Sequence, residues 1–176
     1  GLVMSMARSA LAVQTAFNPD VLEVFKTLNR VVFQSARKRL LATLCYALVD
    51  PRRKEMQFAS AGHLFPYRVT PEGEVSSLES VSYPLGVRNP IDIVPRAARL
   101  DPGDTLFLFS DGLIEARAEG SDEMFGFGRL EESLQRNAGL APGQLRDVLL
   151  EELEEFTRSA PREDDLTLLV LRMPAA

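Results

Sequence analysis

The chain has 176 residues, 45% of them apolar and 26% charged, which is the balance of one soluble globular domain with a sizeable core. A net charge of −5 offers no basic field for nucleic acid or anionic lipid, and no apolar run approaches the roughly 18 residues that span a bilayer. One cysteine and one histidine leave no internal disulfide and almost no material for a zinc cluster or a Cys-His nucleophile, so any metal must be held by oxygen. The lone Cys45 sits in the run LLATLCYALV and reads as a small buried hydrophobe, in keeping with a reducing cytoplasm.

In chain order, LVMSMARSALAVQTAF (Leu2 to Phe17) is free of breakers and reads as a helix that begins without an N-cap signal. Gly1 then reads as a tag remnant or a cut point within a longer protein. Asn18 as N-cap and Pro19 as first helical residue open a second helix to about Ser35, with Val21, Leu22, Phe25, Leu28 and Val32 on one face. LLATLCYALVD and EMQFASAG form a hairpin across the turn from Asp50 to Lys54. PYRVT and VSSLES form another across Pro71 to Glu74. IDIVPRAARL reads as a strand whose Pro95 marks an edge or a bulge. The turn from Asp101 to Asp104 leads into TLFLFSDG, the most hydrophobic strand. GRLEESLQRN and PGQLRDVLLEELEEFTRS are amphipathic helices, the second with Leu145, Val148, Leu149, Leu153 and Phe156 on one face, and LTLLVLRM closes the chain as a buried strand. Helices segregated from antiparallel strands make the fold class α+β.

Two acidic sites stand out by position. Asp111-Gly112 ends one apolar strand and Asp164-Asp165 begins another. If these strands are antiparallel neighbours, Asp111 meets the Asp164/Asp165 pair at one rim of a sheet, and carboxylates gathered there repel unless a cation neutralises them. Oxygen ligands suit Mg²⁺ or Mn²⁺, and Gly112 lets the backbone turn sharply and come close to what binds. On spacing alone, Asp-Gly after a strand also reads as a plain turn, and Asp-Asp before a strand as a plain loop.

Several spaced motifs extend this reading. ATLCYALVDPRRKEMQFASAGHLFPY carries a strand, an Asp-Pro turn, a second strand and Ser-Ala-Gly-His; YPLGV carries Pro-Leu-Gly. LDPGDTLFLFSDGLIEARAEGSDEMFGFGRL carries Pro-Gly-Asp, a strand, Ser-Asp-Gly, Glu-Ala and Phe-Gly; PREDDLTLLVLR carries Asp-Asp-x-Thr. In this order, over nearly the whole chain, they resemble the SpoIIE/RsbU branch of the type 2C (PPM) metal-dependent Ser/Thr protein phosphatases. The resemblance implies a two-layer antiparallel β-sandwich flanked by helices, holding a binuclear Mn²⁺ or Mg²⁺ centre at which water, and no protein side chain, attacks phosphorus. It places Asp111 and Asp164 as the catalytic metal ligands, Gly112 within the metal site, and Asp165 as a neighbour that orients them. His63 reads as a structural histidine at a strand end, the alternative being help to the departing hydroxyl, and Arg162 as a surface arginine, the alternative being contact with a phosphate.

The departure is also informative. The family's Gly-Asp-x-x-Gly-His/Lys-Gly motif, whose Asp bridges both metals, does not occur in the chain. The expectation is therefore a single domain over residues 1–176 that is N-terminally truncated, the C-terminal two-thirds to three-quarters of the family's domain. Such a chain should bind metal weakly, its sites empty or singly filled, with Glu115, Asp122 or Glu163 the first substitutes for a missing ligand. Exposed strand edges would favour a homodimer. The parent protein is expected to be a cytoplasmic phosphatase with an upstream sensor domain, acting on a phosphorylated small regulatory protein of the anti-sigma-factor antagonist type. The other reading is a non-catalytic phosphatase-like module for binding or dimerisation.

Overall fold

The computed structural model describes residues 2–35, 40–158 and 160–174. The chain divides into two compact units, Gly1–Phe65 with Glu79–Arg99, and Pro66–Leu78 with Leu100–Ala176. Each contains one antiparallel sheet and its own helices.

The first unit opens with α1 (Leu2–Phe17) and α2 (Val21–Ser35). The helical spacing of α2 brings Val21, Val24, Phe25, Leu28 and Val32 into one buried cluster with Ala59, Ala61, Leu85 and Ile93. Val3, Ala7, Ala10 and Leu11 of α1 pack against that cluster, while Leu2, Met4, Met6, Val13 and Phe17 lie exposed. The start of α2 differs from the expected one. Asp20 caps the helix, its Oδ1 accepting from the Glu23 amide at 3.0 Å, and Asn18 instead accepts from the Asp20 amide at 3.0 Å, forming the preceding turn.

The sheet of this unit has the order β1 (Leu44–Asp50), β2 (Glu55–Ala61), β5 (Arg96–Arg99). The hairpin pairs Leu44 with Ala61 and Asp50 with Glu55. β5 begins only after Pro95 and lies at the edge; residues 91–94 are not a strand. Buried Asn29 holds the Pro-Leu-Gly segment by accepting from the Gly86 amide at 2.9 Å and donating to the Arg88 carbonyl at 3.0 Å. Gly86 has φ +90°, and a Cβ there would lie 2.8 Å from the Leu40 carbonyl oxygen, which explains glycine at this point of the motif. Phe25 is fully buried. Phe25→Ala is expected to cost about 3–5 kcal/mol of unfolding free energy, read from a urea midpoint at unchanged slope.

The second unit's sheet has the order β4 (Val75–Ser77), β3 (Tyr67–Val69), β6 (Thr105–Phe109), β7 (Leu168–Arg172), all antiparallel neighbours. Helices α3 (Asp111–Ile114), α4 (Gly126–Arg136) and α5 (Pro142–Thr157) belong to the same unit. Leu145, Leu149 and Leu153 of α5 are buried, while Val148 and Phe156 are only partly so. The turn before β6 is fixed by Asp104, almost wholly buried, whose Oδ2 accepts from Arg68 Nε at 2.7 Å and from the Asp101 amide at 2.8 Å. β7 departs from the expected buried strand. It lies at the sheet edge and its exposure alternates, with Leu169 and Leu171 48% and 44% exposed.

Candidate functional site

The sequence argument needed β6 and β7 to be antiparallel neighbours, and they are, in a register running from Thr105 opposite Arg172 to Phe109 opposite Leu168. That register carries the end of β6 to the residues before β7. Ser110 makes the junction. Its amide donates to the Thr167 carbonyl at 3.0 Å, its hydroxyl donates to the Asp165 carbonyl at 2.9 Å, and the same oxygen accepts from the Thr167 amide at 2.9 Å. One side chain thus fastens the 165–167 strap to the end of β6. Sequence reasoning passed over Ser110; the signal was the hydroxyl residue directly before Asp-Gly, opposite a Thr that follows Asp-Asp by one residue.

Asp111 does not end the strand, as expected, since β6 stops at Phe109; it opens α3, in which the Glu115 amide donates to the Asp111 carbonyl at 2.9 Å. Ser110 stands at the N-cap position of this short helix without capping it, because its hydroxyl is engaged by the strap. Gly112 also differs in its reason for being glycine. It is absent from the residues with positive φ; instead, a Cβ would lie 2.6 Å from the Asp165 carbonyl oxygen and 3.4 Å from that of Asp164. Its role is close passage of two backbones.

The structure therefore brings the Asp111-Gly112 and Asp164-Asp165 segments together at one rim. Both aspartates are exposed, and each is oriented by the amide that follows it, Gly112 N to Asp111 Oδ1 at 3.0 Å and Asp165 N to Asp164 Oδ1 at 2.7 Å. Asp165 contributes its carbonyl to Ser110 and leaves its own side chain exposed. Hard oxygen donors suit Mg²⁺ or Mn²⁺ in kind. In number they fall short: among the described residues no group of three or more His, Cys, Asp or Glu side chains is placed to hold a metal ion. Of the substitutes, Asp122 and Glu163 are both held in ion pairs with Arg117, at 3.2 and 3.6 Å, and Glu115 is exposed.

Residues 1–174 match the family model described as Stage II sporulation protein E (SpoIIE). The chain belongs to the SpoIIE family. Phosphoserine phosphatase RsbU of Bacillus subtilis is 33% identical over 176 residues, covering 97% of this chain and 50% of RsbU. The crystal structure of the RsbU and RsbW domains of a Mycobacterium tuberculosis protein is 30% identical, with a TM-score of 0.76 over 99% of this chain and 49% of that one. The SiaA-PP2C domain of Pseudomonas aeruginosa, 23% identical, has the same fold, with a TM-score of 0.84 over 97% of this chain and 69% of that one. The chain thus spans about half the length of RsbU, and its α+β fold of antiparallel sheets with flanking helices is the phosphatase fold of this family. The family is metal-dependent.

His63 and Cys45 belong to the first unit. His63 is half-buried, its Nδ1 3.1 Å from the Leu64 carbonyl oxygen, while its own carbonyl accepts from the Ser60 hydroxyl at 2.7 Å. These contacts fix the chain after β2. Cys45 lies within β1, and burial pushes its thiol up to about 11, which keeps it protonated and unreactive near neutral pH. No described helix is long and apolar enough to cross a membrane.

Proposed function

We propose that the full-length protein is a metal-dependent phosphoserine/phosphothreonine protein phosphatase acting on a small phosphorylated regulatory protein of the anti-sigma-factor antagonist type. The observation that carries this reading is the β6–β7 junction, which sets Asp111 beside the Asp164-Asp165 strap in a chain of the SpoIIE family. The likeness to a phosphoserine phosphatase and to a protein joining RsbU and RsbW domains supports the substrate class.

In this reading Asp111 and Asp164 supply two carboxylates to a Mn²⁺ or Mg²⁺ centre that needs further ligands from outside the described residues. Bound cations would supply the positive charge that offsets phosphate and lowers the pKa of water. The chain's own contribution is positional. Ser110 fixes the spacing of the two ligand segments, Gly112 permits it, and Asp165 orients Asp164 through its amide. The incomplete donor set favours a second reading for the chain taken alone, a phosphatase-like module that binds or dimerises without turnover.

Release of inorganic phosphate from phosphoserine and phosphotyrosine peptides by the full-length protein tests the proposal. Turnover of phosphoserine that depends on added Mn²⁺ or Mg²⁺, with phosphotyrosine left intact, is the expected result. Absence of release with either cation would overturn it in favour of the binding module.

A further inference from the structure

We propose that Arg162 is the residue that grips the phosphate group of the substrate; this rests on the phosphatase reading above. A recess of about 250 Å³ adjoins the rim, and Gly112, Glu115, Arg117, Thr157, Arg162 and Asp164 contribute to its wall. It shares Gly112 and Asp164 with the candidate site, so a group held at the rim also faces the recess. The carboxylates of Glu115, Glu163 and Asp164 would repel a phosphate dianion unless cationic groups meet it there.

The recess has two arginines, and their surroundings separate them. Arg117 is committed to the fold. Its Nη1 donates to the Asp122 carbonyl at 3.3 Å and to Asp122 Oδ1 at 3.2 Å, and its Nε lies 3.6 Å from Glu163. These contacts close the loop in which Arg117 bridges to Met124. Arg162 is held by much less. Its ion pair among the described residues is with Glu154 at 3.7 Å, and the two side chains are 57% and 70% exposed. A pair so long and so wet contributes little, so the guanidinium can exchange it for a stronger acceptor. A phosphate is such an acceptor, because two of its oxygens match the guanidinium fork. Arg162 also stands two residues before Asp164, on the segment that leads directly into the strap fastened by Ser110, so the grip and the candidate ligand are close along the chain.

The test uses the full-length protein with saturating Mn²⁺, a phosphoserine peptide as substrate, and inorganic phosphate as competitive inhibitor. Arg162→Ala should raise both KM and the inhibition constant for phosphate by roughly tenfold, with a smaller fall in kcat, as expected for loss of one charge-assisted bidentate contact. Arg162→Lys should recover part of the loss, since it restores the charge but not the fork. The Mn²⁺ affinity of both variants should equal that of wild type. An inhibition constant for phosphate within twofold of wild type in Arg162→Ala would overturn the inference and leave the phosphatase reading standing. So would a parallel loss of Mn²⁺ affinity, which would show that the substitution acts by moving the strap. A wild-type protein that releases no phosphate would instead sink the phosphatase reading itself.

Discussion

Replacing either Asp111 or Asp164 by Asn in the full-length protein is expected to lower Mn²⁺-dependent hydrolysis of a phosphoserine peptide by roughly a thousandfold or more, about 4 kcal/mol of transition-state stabilisation. The substitution removes a formal charge and almost no volume. Each Asn keeps an oxygen that can accept from the following amide, as Asp111 does from Gly112 and Asp164 from Asp165, so the local backbone keeps its support. Both side chains are exposed, so neither change leaves a buried group unpaired. Circular dichroism and the thermal midpoint should therefore match wild type while turnover collapses. Near wild-type turnover at saturating Mn²⁺ in either variant would show that the residue is not a needed ligand.

The second large effect is expected at Gly112. Alanine is the better helix former by about 1 kcal/mol, so within α3 the change should stabilise if only local preference mattered. The added Cβ would lie 2.6 Å from the Asp165 carbonyl oxygen. That oxygen cannot retreat freely, because it accepts from the Ser110 hydroxyl and the next strap residues are bound to Ser110 as well. Relief must come from separating α3 from the strap, which moves Asp111 away from Asp164. Gly112→Ala should thus destabilise by about 1–3 kcal/mol, and a misplacement on the order of 1 Å should lower activity by about a hundredfold. A raised or unchanged melting temperature would refute the close passage as the reason for glycine here.

The strand-end argument anticipated that the Asp111 and Asp164 segments meet because sheet register follows from hydrophobic pattern. Two strongly apolar runs, TLFLF and LLVLR, pair as neighbours, and an acidic residue just past one must face the residues just before the other. The helix α1 and both hairpins were legible for similar reasons: a breaker-free run for the first, and turn residues between strand formers for the others. The misses share a cause in tertiary context. α3 is too short to show a period and contains a glycine, so propensity argues against it; the fastening of Ser110 to the strap accompanies it. Asn18 and Asp20 are both capping residues two positions apart, and composition alone cannot choose between them. The segment ahead of Pro95 has a strand-like composition, but only the four residues after that proline pair with β2 on its other side from β1. β7 reads as buried because all of LLVLR but Arg172 is aliphatic, yet an edge position leaves alternate leucines in water. The arginines could not be ranked from sequence, since what separates Arg162 from Arg117 is the number and length of their ion pairs.

Calorimetric titration of the full-length protein with Mn²⁺, alongside its Asp111→Asn/Asp164→Asn double variant, measures the central claim most directly. Wild type is expected to bind the cation, and the double variant to lose at least tenfold in affinity or to lose a site, as follows from removing two ligand charges. An unchanged isotherm for the double variant would contradict the assignment of these carboxylates to a metal centre.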